Sequence, residues 1–277
     1  LIPKIIFNHR NVCKSFKPDL VISRSSPYST LLSKFMPFKS VILPDSEVVK
    51  LIKYVVAPLS HLIITPLNFK LNYGRKHYRL NGLFEEAYLS PSIYKPKKET
   101  LTKLNINATD KFFLLRFVSW NANHDVNHYG FNLKQKRDLI KQLKPHGKIL
   151  ISSEYALENE FEQFRINIHP KEIHHILYYA SLYIGDSQSM ATEASLLGTP
   201  SLRYNSFVGD NDMSNFKLLE NEYQLLFNFK HPENLINKAL EIISDDNSKK
   251  KWQTKRKKYF SQSKGLNTQT IEIIDNS

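Results

Sequence analysis

Leu182-Tyr-Ile-Gly185-Asp186-Ser187-Gln188-Ser189-Met190-Ala-Thr-Glu193-Ala-Ser-Leu-Leu-Gly198-Thr-Pro200-Ser-Leu-Arg203-Tyr204 reads as a strand, a turn, a helix, a turn and a second strand. Leu182 to Gly185 is short and apolar, as a strand buried on both faces requires. Ser187 is placed to cap the next helix, its hydroxyl accepting from an amide that has no partner inside the helix. Gly198 supplies a residue able to turn left-handed at the helix end, and Pro200 stops the helix from resuming. Ser201 to Tyr204 is the returning strand.

The same alternation extends in both directions. Leu20 to Ser23, Ser40 to Leu43, His61 to Thr65, Lys111 to Val118, Lys148 to Ser152 and Leu225 to Phe229 are short β-branched or aromatic runs. Helical spacing occupies Leu133 to Leu143, Lys171 to Ala180 and Pro232 to Ile243, with Pro170 suited to a first helical turn. Alternating apolar strands and helices predict an α/β fold with parallel sheets covered on both faces. A polar stretch at Tyr94-Lys-Pro-Lys-Lys-Glu99 and a turn-rich one at Asn105-Ile-Asn-Ala-Thr-Asp110 place a boundary there, giving domains 1–108 and 109–277, the second ending in a basic helix. The first has three strand candidates and the second five. The chain opens with Leu1, and Pro3 to Phe16 has helical spacing before the first strand, so the first domain is expected to lack its leading βαβ units.

Composition excludes several classes. The chain has 277 residues, 41% of them apolar, and a single cysteine, Cys13, so no intramolecular disulfide framework or cysteine-based zinc cluster is available. A reducing, cytoplasmic compartment fits that usage. The longest apolar stretch, Tyr54 to Leu67, is interrupted by Pro58, His61 and Pro66 and is too short to span a membrane. None of the eight glycines forms a G-x-G-x-x-G, a P-loop or a G-x-S-x-G elbow. The formal charge of +13 suits nucleic acid, an anionic membrane surface or an anionic small substrate. Lys249, Lys250, Lys251, Lys255, Arg256, Lys257 and Lys258 concentrate part of it, as a solvated helix face or as a contact. No RNP motif, Cys/His finger or zipper heptad accompanies them, so nucleic acid is not expected as a partner.

The candidate chemistry sits at strand ends. The turn at Asp186 and Ser187 opens a helix whose first amides are free, an anion site suited to a diphosphate. The small residues Ser187, Ser189 and Ala191 permit close approach, and Glu193, one turn in, is placed to accept two ribose hydroxyls. The plain alternative is a strand-to-helix turn with a surface glutamate. His124 and Asp125 follow the Lys111 to Val118 strand, at the edge where ligands bind. They suit acid–base work, or His124 packs on Trp120 as a loop residue. His124 and His128 lack the adjacent carboxylate of a metal motif, and no metal is expected. Asp45 and Glu47 follow the Ser40 to Leu43 strand, where alternation would aim both at one side, and Glu86 follows the run His77 to Leu80. These three are proton-transfer candidates or solvated acids. Arg116 and Arg203 sit in apolar strands and need an anionic partner, either phosphate or Asp186 or Glu193. A structural role is the better reading for Arg116.

Asp186-Ser187, Ala191-Thr-Glu193-Ala194 and Leu197-Gly198-Thr199-Pro200 resemble the sugar-nucleotide site of GT-B-fold proteins, namely nucleotide-sugar glycosyltransferases and non-hydrolysing UDP-N-acetylglucosamine 2-epimerases. The chain more closely resembles an uncharacterised bacterial and archaeal family of this fold. That pattern runs through Pro18-Asp-Leu-Val-Ile-Ser, Pro44-Asp45-Ser46-Glu47, Gly82-Leu-Phe-Glu85-Glu86-Ala87-Tyr88-Leu89, Leu115 to Asp125 and Thr199 to Gly209. The resemblance implies two doubly wound Rossmann-like domains facing a cleft, the first truncated. Nucleotide would be held by Asp186, Ser187, Gln188, Ser189, Glu193 and Arg203 of the second domain, with His169 toward the uracil. The first domain would form the acceptor or sugar side, with Asp45, Glu47 and Glu86 across from His124 and Asp125. The epimerases follow their Asp-Ser with two glycines, where this chain has Gln188-Ser189.

The resemblance further implies a UDP-sugar as substrate, without a separate cofactor. The family's own reaction stays open; the positive charge tilts the expectation to glycosyl transfer in surface polysaccharide or glycolipid synthesis, to a lipid-linked or saccharide acceptor at an anionic inner-membrane face. The alternatives are 2-epimerisation and a non-catalytic nucleotide-binding or scaffold role.

Overall fold

The structure is a computed structural model that describes residues 2–107, 109–118, 129–153, 155–210 and 212–277. The chain divides into two compact units, 1–87 with 263–277 and 88–262. The sequence reading put the break after 108; internal packing puts it after Ala87 and returns the last fifteen residues to the first unit.

The first unit is a parallel sheet in the order β1 (Leu20–Ser23), β2 (Lys39–Ile42), β3 (Leu62–Pro66), β4 (His77–Leu80). Alternate residues feed opposite faces. Val41, Leu62, Ile64 and Leu80 pack with Leu266 of the C-terminal helix Leu266–Asp275, whereas Ile42 and Ile63 pack with Val56 and Ala57. Strand β4 was not among the three sequence candidates because it reads as polar, His-Tyr-Arg-Leu. His77 is nevertheless accommodated: its Nδ1 accepts from the Tyr73 amide at 3.2 Å, so Nε2 carries the proton and donates to Thr65 Oγ1 at 2.7 Å. Burial, reinforced by the nearby Arg79 charge, lowers its pKa to about 4, so the ring stays neutral at physiological pH.

In the second unit the strands β5 (Phe112–Arg116), β6 (Lys148–Ser152), β7 (Leu182–Gly185), β8 (Ser201–Tyr204) and β9 (Leu226–Phe229) are all parallel. Their order is β6-β5-β7-β8-β9. The chain steps outward from β5 to β6 and then returns across β5 to begin β7. The sheet order therefore reverses between β5 and β7, and the carboxyl ends of those two strands flank the crevice where open α/β sheets bind ligands. Helices Leu133–Leu143, Ile173–Tyr179, Gln188–Leu196 and Pro232–Ser244 follow the sequence periodicity. Asn132 and Gln135 cap the first of these reciprocally, each side chain accepting from the other's amide at 2.9 Å.

The basic run lies on the helix Ser248–Gln262, and part of its charge is turned inward. Lys249 Nζ donates to the carbonyls of Tyr178 and Ala180 and to Thr199 Oγ1, at 2.6, 2.9 and 2.5 Å. Burial pushes its ammonium well below the usual lysine range. Arg256 donates to the Leu196 carbonyl at 2.6 Å, and Lys255 to that of Gln224 at 3.0 Å. Cations are thereby placed on the orphan carbonyls at the ends of two helices, where the macrodipole favours them. Lys250, Lys257 and Lys258 remain exposed. Among the described residues, no helix is long and apolar enough to cross a membrane. Replacing Lys249 with Met should lower the unfolding free energy in urea by about 1–3 kcal/mol, because its acceptors are left unsatisfied. Lys257→Met should change it by no more than about 0.5 kcal/mol.

Candidate functional site

The Gln188–Leu196 helix starts at the crevice, directly after β7. Ser187 is its N-cap in extended conformation, and its hydroxyl accepts from the Met190 amide at 3.4 Å. The amides of Gln188 and Ser189 have no hydrogen-bond partner among the described residues. Six of the nine helical residues are buried, which leaves Ser189 exposed and Gln188 and Glu193 partly so, the Glu193 side chain at 14%. Ser189 and Glu193 are four residues apart and so share one face, separated by about 6 Å along the axis. The helix ends as the sequence predicts: Gly198 has φ +71°, and the Thr199 amide reaches back to the Ala194 carbonyl at 2.9 Å. At the other end Gly185 is needed for space, since a Cβ there would overlap the Tyr183 hydroxyl and lie 2.7 Å from the Arg116 carbonyl oxygen.

Asp186 is only 2% exposed. Its Oδ1 accepts from the Val118 amide at 2.9 Å and its Oδ2 from the Phe131 amide at 3.4 Å. Its own amide donates to the Arg116 carbonyl at 3.2 Å, and its carbonyl accepts from Asn205 Nδ2 at 3.1 Å. The residue that the sequence reading placed on the nucleotide thus pins both ends of the segment between β5 and the Leu133–Leu143 helix, and ties β7 to the end of β8.

Glu193 is held by two groups from distant parts of the unit. Tyr88 Oη donates to its Oε1 at 2.8 Å, and His174 Nε2 lies 3.1 Å from the same oxygen. Oε2 has no hydrogen-bond partner among the described residues. Neither Tyr88 nor His174 was singled out in the sequence. The available signal was the His174-His175 pair at the start of a helix, one turn beyond Pro170.

Other candidates are placed differently. Arg203 is fully buried on β8, but its partners are neither Asp186 nor Glu193: the guanidinium pairs with Asp212, donates to Asn228 Oδ1 at 2.7 Å and lies 3.4 Å from the Phe216 ring centre. Burial lowers its pKa to about 10 and raises that of Asp212, and the pairing opposes both shifts. Two of its nitrogens are thereby committed internally, whereas Nη1, also buried, has no hydrogen-bond partner among the described residues. Arg116 donates to Ser152 Oγ at 2.9 Å, in keeping with a structural role. His169 is exposed and caps the turn after it, its Nδ1 accepting from the Lys171 amide at 3.2 Å.

In the first unit β2 ends at Ile42, so strand alternation does not extend to Asp45 and Glu47. Asp45 forms an exposed ion pair with Arg24 at 2.7 Å, whereas Glu47 turns inward to accept from the Lys70 amide at 2.7 Å. Glu86 is buried, accepting from the Leu83 amide at 2.8 Å and from the Ser263 hydroxyl at 2.6 Å, which makes its carboxylate part of the first unit's framework. His124, Asp125 and His128 lie outside the described residues. Among those described, no group of three or more His, Cys, Asp or Glu could hold a metal ion. Asp212→Ala should cost about 3–5 kcal/mol in urea unfolding, because it strands a buried guanidinium.

No protein-family profile matches the sequence, and neither does any curated protein. Solved structures do match in fold. Sucrose-phosphate synthase from Thermosynechococcus elongatus aligns with a TM-score of 0.61 at 13% identity, over 99% of this chain and 77% of that one. A UDP-GlcNAc 2-epimerase from Methanocaldococcus jannaschii, solved with UDP-GlcNAc and UDP, gives 0.57 at 12% identity, over 93% and 80%. The glycosyltransferase of kitacinnamycin gives 0.59 at 10%, over 98% and 79%. Transferases and epimerases are equally distant by these measures, and identities this low establish the fold alone. That fold is GT-B-like, a pair of Rossmann-like units with parallel sheets of four and five strands.

Proposed function

We propose that the second unit binds a UDP-sugar, with the diphosphate on the amides of Gln188 and Ser189 and the ribose on Glu193. The observation that carries this reading is the outward face of the Gln188–Leu196 helix at the β5/β7 reversal. Two amides at its positive end and, one turn on, one carboxylate oxygen have no hydrogen-bond partner among the described residues. Free amides stabilise the negative charge of a phosphate, and the carboxylate accepts from paired hydroxyls. The spacing suits a ligand that carries both groups. Gln188 adds a polar side chain beside the phosphate position. The UDP complex of a fold neighbour supports the nucleotide class.

Both reactions open to such a site expel UDP, and the same helix end would stabilise the charge that develops on its diphosphate. Glycosyl transfer is the first reading, on an acceptor that is a saccharide or a lipid-linked one. The exposed Lys250, Lys257 and Lys258 favour an anionic membrane surface for it, although the inward-turned Lys249, Lys255 and Arg256 reduce the charge available. Epimerisation by loss and return of UDP is the second reading, supported by the epimerase neighbours. For proton transfer the candidates are Asp45, Glu47, His124 and Asp125; Glu86 is set aside because both its oxygens are engaged.

Removing the Glu193 carboxylate takes away a charge-assisted hydrogen bond worth about 1.5–3 kcal/mol. Glu193→Ala should therefore bind UDP roughly ten- to a hundredfold more weakly in calorimetric titration. Unchanged affinity would exclude this site. Incubation with radiolabelled UDP-sugars, with and without membranes, separates transfer from epimerisation by product.

A further inference from the structure

We infer that Tyr88 and His174 are positioning residues for Glu193, holding its carboxylate so that the second oxygen is presented to the hydroxyls of a bound ribose. The inference rests on the nucleotide reading of this site. It concerns how the recognising carboxylate is made ready.

A glutamate on the outward face of a helix has three rotatable side-chain bonds and several staggered states open to it. Here two donors converge on Oε1, one from a tyrosine hydroxyl at 2.8 Å and one from an imidazole at 3.1 Å. The carboxylate is the acceptor in both contacts, so His174 must carry a proton on Nε2. The Nε2–H tautomer supplies that donor. Because both donors meet the same oxygen, its rotation is restrained while Oε2 has no partner among the described residues.

The donors are themselves held. The Tyr88 and His174 rings lie 5.7 Å apart, and Tyr94 sits edge-on to His174 at 6.3 Å. Tyr94 also stacks on His175 at 5.4 Å, and its hydroxyl lies 2.6 Å from His175 Nδ1. Arg256 donates to the carbonyl of Leu89, next to Tyr88, at 3.4 Å. The aromatic packing and this backbone contact fix the donors before any ligand arrives. Ordering of Glu193 is then not charged against binding, which is how preorganisation raises affinity.

A purely structural tie between residue 88 and the helix makes a different prediction, because it would affect every ligand alike. The test uses the intact chain, with UDP and its 2′,3′-dideoxy counterpart titrated calorimetrically into four variants. Tyr88→Phe and His174→Phe keep the rings and remove the donors; His174→Gln keeps an N–H; Glu193→Ala removes the acceptor. Thermal melting confirms that each variant is folded.

The wild-type chain should prefer UDP over the dideoxy ligand by about tenfold or more, as expected for hydroxyls bonded to a carboxylate. Tyr88→Phe and His174→Phe should each reduce that preference roughly threefold or more and leave affinity for the dideoxy ligand nearly unchanged, whereas His174→Gln, which keeps a donor at that position, should largely retain the preference. If both Phe variants weaken the two ligands equally, or leave the preference intact while Glu193→Ala abolishes it, the positioning role is wrong and the nucleotide reading stands. If Glu193→Ala leaves the preference unchanged, the nucleotide reading fails and the positioning role with it.

Discussion

The carboxylate of Asp186 sits at the end of β7 almost wholly out of solvent, and a charge in that position is tolerable only if its oxygens are hydrogen-bonded. They take the amides of Val118 and Phe131, one at each side of the connection that leaves β5. Its backbone meanwhile joins Arg116 on β5 and Asn205 after β8. Three strand ends are therefore referred to one residue at the point where sheet order reverses. The next residue, Ser187, begins the Gln188–Leu196 helix, so the direction of that helix is set by the same clamp. Its first amides are thereby held outward at the crevice.

The positive charge of the chain has two distinct uses. Lys249 and Arg256 terminate helices by donating to carbonyls that have no partner inside them, and Arg203 is a buried ion-paired core residue. Such cations act on stability and register. The exposed lysines of the Ser248–Gln262 helix, like Lys95, Lys97 and Lys98 elsewhere in the same unit, keep their charge outward. A net charge of +13 thus overstates what a partner would meet. The same distinction applies to the acids, since Asp186 and Glu86 are internal acceptors whereas Glu193 has one oxygen with no partner among the described residues.

Much of the second unit was legible because its signals are local. The apolar run Leu182 to Gly185, the cap at Ser187 and the Gly198-Thr-Pro200 stop each act within a few residues, and all lie where the sequence puts them. Strand β4 was hidden because His77 and Arg79 satisfy their polar atoms through Thr65, Tyr73 and backbone carbonyls, which no periodicity reveals. The extent of the units was hidden as well, because the last helix returns to the first unit by packing Leu266 on its sheet. Within the candidate site, Ser187 to Glu193 could be read from spacing. The partners of Glu193 could not, since Tyr88 is 105 residues away in sequence. Arg203 required a partner on any reading, but only the folded chain identifies that partner as Asp212.

The central claim is that the exposed amides of Gln188 and Ser189 form a diphosphate seat. It is tested most directly by amide nuclear magnetic resonance on the isotope-labelled chain during titration with UDP, with uridine as control. The account predicts that UDP produces its largest saturable shifts at Gln188, Ser189 and Glu193, and that uridine, which lacks the phosphates, leaves the first two nearly unmoved. Saturable binding of UDP with no change at Gln188 and Ser189 would contradict it.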